Sequence, residues 1–131
     1  GFTTLGNGKV LFSAYNATDG RDLWVTDGTA AGTTLLKDFN TGFAHSQPTG
    51  FTALGDGRVV FSASTATNGQ ELWVTDGTAV GTTLLKDINT GSDDSQPTGF
   101  RALGDGRILF SASTAANGQE LWVTDGTDAG T

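Results

Sequence analysis

Cysteine and methionine are both absent from this 131-residue chain. Without Cys there is no disulfide, no thiolate nucleophile and no Cys-based zinc site. The redox compartment stays open, because a chain without Cys folds equally well in either. The lack of even an initiator Met suggests a processed product or a piece excised from something longer. Histidine occurs once, as His45, and Pro twice. Basic residues are scarce: Lys and Arg total 7 against 14 Asp and Glu, for a net charge of −7. That balance argues against nucleic acid, whose phosphates demand a basic face, and against anionic membrane surfaces. No apolar run exceeds a few residues, so no segment is expected to span a bilayer and no signal peptide to remain.

Glycine and threonine are plentiful, at 20 and 22 residues, and hydrophobic residues make up 36%. The apolar residues cluster in short runs, enough for packed strands and too many for disorder. The arrangement is periodic. Gly1-Phe2-Thr3-Thr4-Leu5-Gly6 returns as Gly50-Phe51-Thr52-Ala53-Leu54-Gly55 and as Gly99-Phe100-Arg101-Ala102-Leu103-Gly104. The period is 49 residues, giving copies at 1–49 and 50–98 and a shorter one of 33 residues at 99–131. A fixed period of this length marks a solenoid, a propeller or an array, in which no unit buries its apolar surface alone.

One copy reads as four short strands. In copy two, Phe51 to Leu54 alternates apolar and polar and stops at Gly55-Asp56-Gly57. Asp-Gly between apolar runs is a hairpin signal, because primed turns need positive φ; copy one has Asn7-Gly8 there. Arg58 to Ser64 is a β-branched and aromatic second strand. Thr67-Asn68-Gly69-Gln70 turns the chain into Glu71 to Thr75, and Asp76 to Gly81 is a Gly-bounded connection to a fourth strand, Thr82 to Ile88. A polar loop from Asn89 to Thr98 leads to the next copy.

The middle strands are apolar on both faces. Val59 and Phe61 oppose Val60; Leu72 and Val74 oppose Trp73; Leu84 opposes Leu85. A strand apolar on both sides sits between two other layers. The expected fold is therefore all-β, with each copy a four-stranded antiparallel propeller blade. Helical repeats are excluded by the Gly, Thr and Val density. A β-helix would favour shorter coils without Asp-Gly hairpins.

At Glu71-Leu72-Trp73-Val74-Thr75-Asp76-Gly77-Thr78 the chain resembles the ELWxxDGT-repeat family of large bacterial multi-repeat, propeller-like proteins. Glu120 to Thr127 carry the same word, and Asp22 to Thr29 carry it with Asp in place of the first Glu. The resemblance implies a propeller fold and secretion or surface display, and it implies no activity, because no catalytic set goes with the repeat. Thr-Asp-Gly-Thr is also similar to the Asp-box turn of sialidase-type propellers, without the Trp that completes it.

Trp24, Trp73 and Trp122 have two readings: sugar-stacking platforms, or packing between neighbouring blades. Their mid-strand position between Leu and Val favours packing. Asp27-Gly28, Asp76-Gly77 and Asp125-Gly126 are read as structural turns whose aspartate bonds nearby backbone amides, against a reading as cation ligands. For a metal the better candidate is the copy-two loop, where Asp87, Asn89, Asp93 and Asp94 place oxygens around Gly91 in a manner suited to Ca²⁺. Copy one breaks that pattern with Phe43, Ala44 and His45, and a solvated acidic loop is the competing reading.

Enzymatic readings have little behind them. His45 has no repeat equivalent, so a Ser-His-Asp arrangement rests on one loop residue. A glycosidase pair drawn from Asp93, Asp94 and Glu71 has no fixed separation, and the basic cluster a sialidase needs is missing. Gly55-Asp56-Gly57 lacks the rest of a dinucleotide loop. Copies two and three agree at 27 of 33 positions, which duplication or consensus building explains without selection on any site.

Propellers close with about four to eight blades. Two and three-quarter blades form an arc with an apolar face at each end, and such faces mark association surfaces. Two chains paired head to tail close a six-bladed ring. The expectation is a non-enzymatic, self-assembling structural module that forms a homodimer and has no cofactor beyond a conceivable Ca²⁺. The alternative is a carbohydrate- or protein-binding propeller, Ca²⁺-assisted or not. The strand at Glu120 to Thr124, with no fourth strand after it, is expected to be an exposed edge.

Overall fold

A computed structural model describes residues 1–41 and 44–131. Among the described residues it contains eleven strands and no helix. They are β1 (Phe2–Thr4), β2 (Val10–Asn16), β3 (Gly20–Thr26), β4 (Thr34–Lys37), β5 (Thr49–Ala53), β6 (Val59–Thr65), β7 (Gly69–Thr75), β8 (Thr83–Lys86), β9 (Thr98–Ala102), β10 (Ile108–Thr114) and β11 (Gly118–Thr124). Each repeat makes one antiparallel meander: β1-β2-β3-β4, β5-β6-β7-β8 and a three-stranded β9-β10-β11.

The hairpins follow the local sequence. Leu54 N–H donates to the Arg58 carbonyl (2.9 Å), closing a three-residue loop of Gly55, Asp56 and Gly57. Both glycines have positive φ and the Asp56 carboxylate takes the Arg58 amide (3.0 Å), so the turn is wider than a two-residue primed one. In each sheet the longest ladder joins the second strand to the third, in the second sheet from Val59↔Thr75 to Thr65↔Gly69. Third strands accordingly begin two residues earlier than the Glu71 start expected from pattern.

Fourth strands are shorter than the expected Thr82–Ile88. Thr82 is drawn into the preceding turn through a 2.7 Å bond between its hydroxyl and that of Thr75. Ile88 N–H leaves the ladder to donate to Glu71 Oε2 at 2.7 Å.

Alternation assigns the side chains to two layers. Val59, Phe61, Ala63 and Trp73 pack with Leu11, Leu23 and Val25 of the first sheet. Val60, Leu72, Val74 and Leu85, from the opposite face of the same sheet, pack with Ile108, Phe110 and Ala112 of the third. The second sheet is thus covered on both sides, and each large side chain buried there contributes about 1.5–3 kcal/mol. Phe39 meets Trp73 edge-on, with ring centroids 4.8 Å apart. The first strands of the repeats, β1, β5 and β9, lie beside one another, so the sheets converge along that side.

Candidate functional site

Three structural features set this chain apart: end faces, buried carboxylates and knotted turns. In each turn the aspartate closes a ring of local bonds. Asp76 Oδ1 accepts from Thr78 N–H (2.8 Å) and Thr78 Oγ1 (2.7 Å), while Thr78 Oγ1 accepts from Gly81 N–H (2.9 Å). The Thr82 hydroxyl donates to the Thr78 carbonyl at 2.6 Å. Asp27 and Asp125 make the same bonds to Thr29 and Thr127. Hydrogen bonds from these threonines hold all three carboxyls below the usual range. Gly81 packs so closely that a β-carbon there would lie 2.0 Å from Asp76 Oδ1.

Gly77 is not only a turn residue. A β-carbon on it would lie 2.5 Å from Leu5 Cδ1 of the first sheet, and one on Gly126 would meet Leu54 Cδ1 of the second at 2.5 Å. Each turn glycine therefore seats the leucine of the preceding sheet. Gly28 has no such neighbour within 4 Å.

Sequence pattern missed the buried carboxylates. Glu71 has no exposed surface. Its oxygens accept from Ile88 N–H (2.7 Å), Asn89 N–H (3.4 Å), Ser95 N–H (3.0 Å) and Ser95 Oγ (2.6 Å). Burial pushes its carboxyl above the usual range, and the Ser95 bond opposes that shift. The Ser95 carbonyl in turn accepts Ser113 N–H (2.7 Å) of the third sheet. Glu71 thereby pins an inter-copy loop that joins two sheets. Asp22 takes this position in copy one, with Ser46 Oγ on Oδ1 and with Oδ2 buried without a partner among the described residues. One methylene fewer leaves one oxygen short of its donors, and burial raises this carboxyl too. The usable signal was the recurrence, 24 residues after the acid, of a Ser before Gln-Pro. In copy three Glu120 is exposed.

The candidate calcium ligands are not brought together. Asp87 Oδ2 accepts from Asn68 Nδ2 (3.1 Å) and Gly91 N–H (3.4 Å). Asn89 Oδ1 accepts from Ala115 N–H of the third sheet (3.0 Å), as Asn40 Oδ1 accepts from Ala66 (2.8 Å). Asp94 Oδ1 takes the Gln70 N–H (2.7 Å), and Asp93 is exposed. Among the described residues no three acidic or His side chains are placed to hold a metal ion. The Asn89 and Asp94 side-chain oxygens are engaged by backbone amides, while Asp87 Oδ1 is buried with no partner among the described residues. His45 explains its substitution for Asp94: its Nδ1 accepts the Arg21 N–H (3.1 Å), the equivalent bond. Phe43, another departure in copy one, lies outside the described residues.

The tryptophans differ by surroundings. Trp73 is buried in the layer between the first two sheets. Trp122 packs only partly against the next layer, and Trp24 stands with Phe12 and Phe2 on the outer face of the first sheet. No sugar platform is formed by the three together.

The end faces are the largest anomaly. Leu5 and Leu54 are 3% and 6% exposed, whereas Leu103 at the same repeat position is 43% exposed. Leu23 and Leu72 are fully buried and Leu121 is 75% exposed. Val123 and half-buried Leu109 complete that face. At the other end Phe2 is 79% exposed, beside half-buried Val10, Phe12 and Trp24. Their equivalents in the second sheet, Phe51, Val59, Phe61 and Trp73, pack against the first. The surface hollows include a cleft of about 500 Å³ along β1, β5 and β9, and a polar one of about 320 Å³ between Gln70, Gln96, Ser113 and Gln119. Gln96 in the latter has a left-handed backbone (φ 50°), uncommon for a non-glycine. No protein-family model, curated protein or solved structure matches this chain.

Proposed function

We propose that this chain is a structural repeat module that assembles with itself, the exposed face of its third sheet docking on the exposed face of the first sheet of a second copy. One observation carries the reading: the two uncovered faces are the two halves of an interface that the chain already forms twice internally. Leu103 then seats on Gly28 as Leu5 does on Gly77. Arg107, which among the described residues pairs only with its own Asp105, takes the role of Arg58, whose Nη1 donates to the Gly126 carbonyl at 2.7 Å. The sheets act as propeller blades, and two chains close a ring of six, within the range of about four to eight blades. An ELWxxDGT-type module of a secreted or surface-displayed bacterial repeat protein, with no catalytic role, fits this reading.

Sedimentation equilibrium at micromolar concentration tests it. The expected species has twice the 13.4 kDa chain mass; a single monomeric species over the whole range rejects self-assembly. A second reading, glycan binding, is favoured only by the polar hollow at Gln70, Gln96 and Gln119. It requires a saturable glycan-array signal that is lost on Gln96→Ala.

A further inference from the structure

We propose that Tyr15, Arg21 and His45, at the junction of the first and second sheets, bind a carboxylate carried on a ring. The ring lies on the two aromatic side chains and the carboxylate on the guanidinium.

The strand register brings the three residues together. Tyr15 on β2 is paired directly with Arg21 on β3, and residues opposite one another in an antiparallel pair share a face. Alternation puts them on the face of Leu11 and Leu23, which are fully buried against the second sheet. Beyond that buried layer Tyr15 is 58% exposed, and Arg21 is exposed too. The loop after β4 crosses the same place. Ser46 and Gln47 N–H both donate to the Arg21 carbonyl (3.1 and 3.2 Å), and the Ser46 carbonyl accepts Ser64 N–H of the second sheet (2.8 Å). That loop carries His45, whose ring centroid lies 5.9 Å from that of Tyr15 at an interplanar angle of 44°.

The other copies carry different chemistry on the same backbone. There the pairs are Ser64↔Gln70 and Ser113↔Gln119, and Asp94 Oδ1 accepts the Gln70 N–H. Copy one keeps the backbone bond, with His45 Nδ1 accepting the Arg21 N–H at 3.1 Å. An accepting Nδ1 leaves the imidazole proton on Nε2, which faces away from the backbone as a donor. A carboxylate beside an amide thus gives way to a guanidinium, a phenol and an imidazole N–H. These are three donors grouped in a chain whose net charge is −7.

No carboxylate of the protein occupies them. Among the described residues Arg21 makes no ion pair. Asp22, next in sequence, lies on the opposite face of the strand and receives Ser46 Oγ. Asp19 accepts from Asn16 Nδ2 (2.8 Å). A guanidinium offers a flat fork that matches a carboxylate with two parallel bonds. The tilted rings of Tyr15 and His45 present apolar bodies against which the carbon face of a ring packs. Both walls of the junction belong to one chain, so the site needs no second copy. It lies one repeat away from the polar hollow at Gln96.

The chain holds one Tyr and one His, so their ring-proton resonances report this site directly. Titrating the intact chain with sodium glucuronate and with sodium benzoate is expected to shift both sets of resonances saturably, with a Kd of about 1 mM. The acid that binds more tightly identifies the ring as sugar or aryl. Each variant restores the residue of copy two. Arg21→Gln should weaken binding by about tenfold or more, and His45→Asp, which keeps an acceptor for the Arg21 amide, should abolish the shift at Tyr15. Tyr15→Ser, read from His45, gives the same test without touching the loop, and unchanged circular dichroism verifies each fold. Absence of a saturable shift with either acid, or undiminished binding to Arg21→Gln, overturns the proposal. So does binding of acetate or inorganic phosphate as tight as that of the ring acids, which means pairing with any anion.

Discussion

Replacing Glu71 by Ala lowers the stability of the folded chain by about 3–5 kcal/mol, whereas Glu120→Ala changes it by less than about 0.5 kcal/mol. Both residues begin the same word of sequence. The difference lies in surroundings: at Glu71 four donors lose their acceptor inside the protein, while at Glu120 water replaces whatever is removed. Glu71→Gln falls between, at about 2–3 kcal/mol, because an amide keeps one accepting oxygen but turns an N–H toward existing donors. Urea denaturation of the three variants checks the order, and equal losses at Glu71 and Glu120 would contradict the latch. The same carboxylate sets a pH dependence. A carboxyl raised on folding binds its proton more readily in the folded state, so stability falls as pH rises through the window between its ordinary and its folded pKa. Asp27, Asp76 and Asp125 are lowered and act oppositely: their contribution is present above the ordinary carboxylate range and fades as pH falls through their folded values. Stability is therefore expected to peak in mild acid, above about pH 4, and Glu71→Gln should flatten its decline toward neutrality.

Leu72→Ala is expected to cost about 2–5 kcal/mol, and Leu121→Ala less than about 0.5 kcal/mol in dilute monomer. Leu72 lies sealed between the second and third sheets, and Leu121 at the same position faces solvent. The comparison is internally controlled because backbone, neighbours in sequence and residue type are shared. At concentrations where chains associate, the ranking changes: Leu121→Ala then weakens association by about tenfold or more, as truncation at the centre of an interface does. Leu72→Ala leaves association affected only through folding. Thermal denaturation at low concentration and sedimentation at high concentration separate the two effects. A Leu121→Ala chain that associates as well as its parent would mean that this face is not used.

The antiparallel meanders were legible because the alternation around Val59 to Phe61 and Leu72 to Val74 can be satisfied only by burial on two sides. Strand ends were less so. Thr82 reads as strand by composition, yet its hydroxyl is worth more to the turn knot at Thr78. Ile88 reads as strand by hydrophobicity, yet its amide goes to a carboxylate seventeen positions earlier. The loop at Asp87 to Asp94 reads as a cation loop by its alternating oxygens, yet Asn89 and Asp94 give theirs to backbone amides far away in sequence. His45 standing for Asp94 was the clue, since a change of ligand chemistry is tolerated where only an acceptor is required. Glu71 stayed hidden because an acid at the start of a strand is ordinarily exposed, and nothing local shows that Ser95 will close over it.

The bonds of the knotted Asp-Gly-Thr turns reach no more than seven positions along the chain, and the hairpins around them need few distant partners. Contacts of such short range form early, ahead of any docking between sheets. Meanders two and three, nearly alike in sequence, then compete as equals for the surface of meander one. A chain can settle with the wrong neighbour, or lend a meander to another molecule, at little difference in energy. Refolding is accordingly expected to show a slow, concentration-dependent phase of sorting after a rapid gain of strand signal.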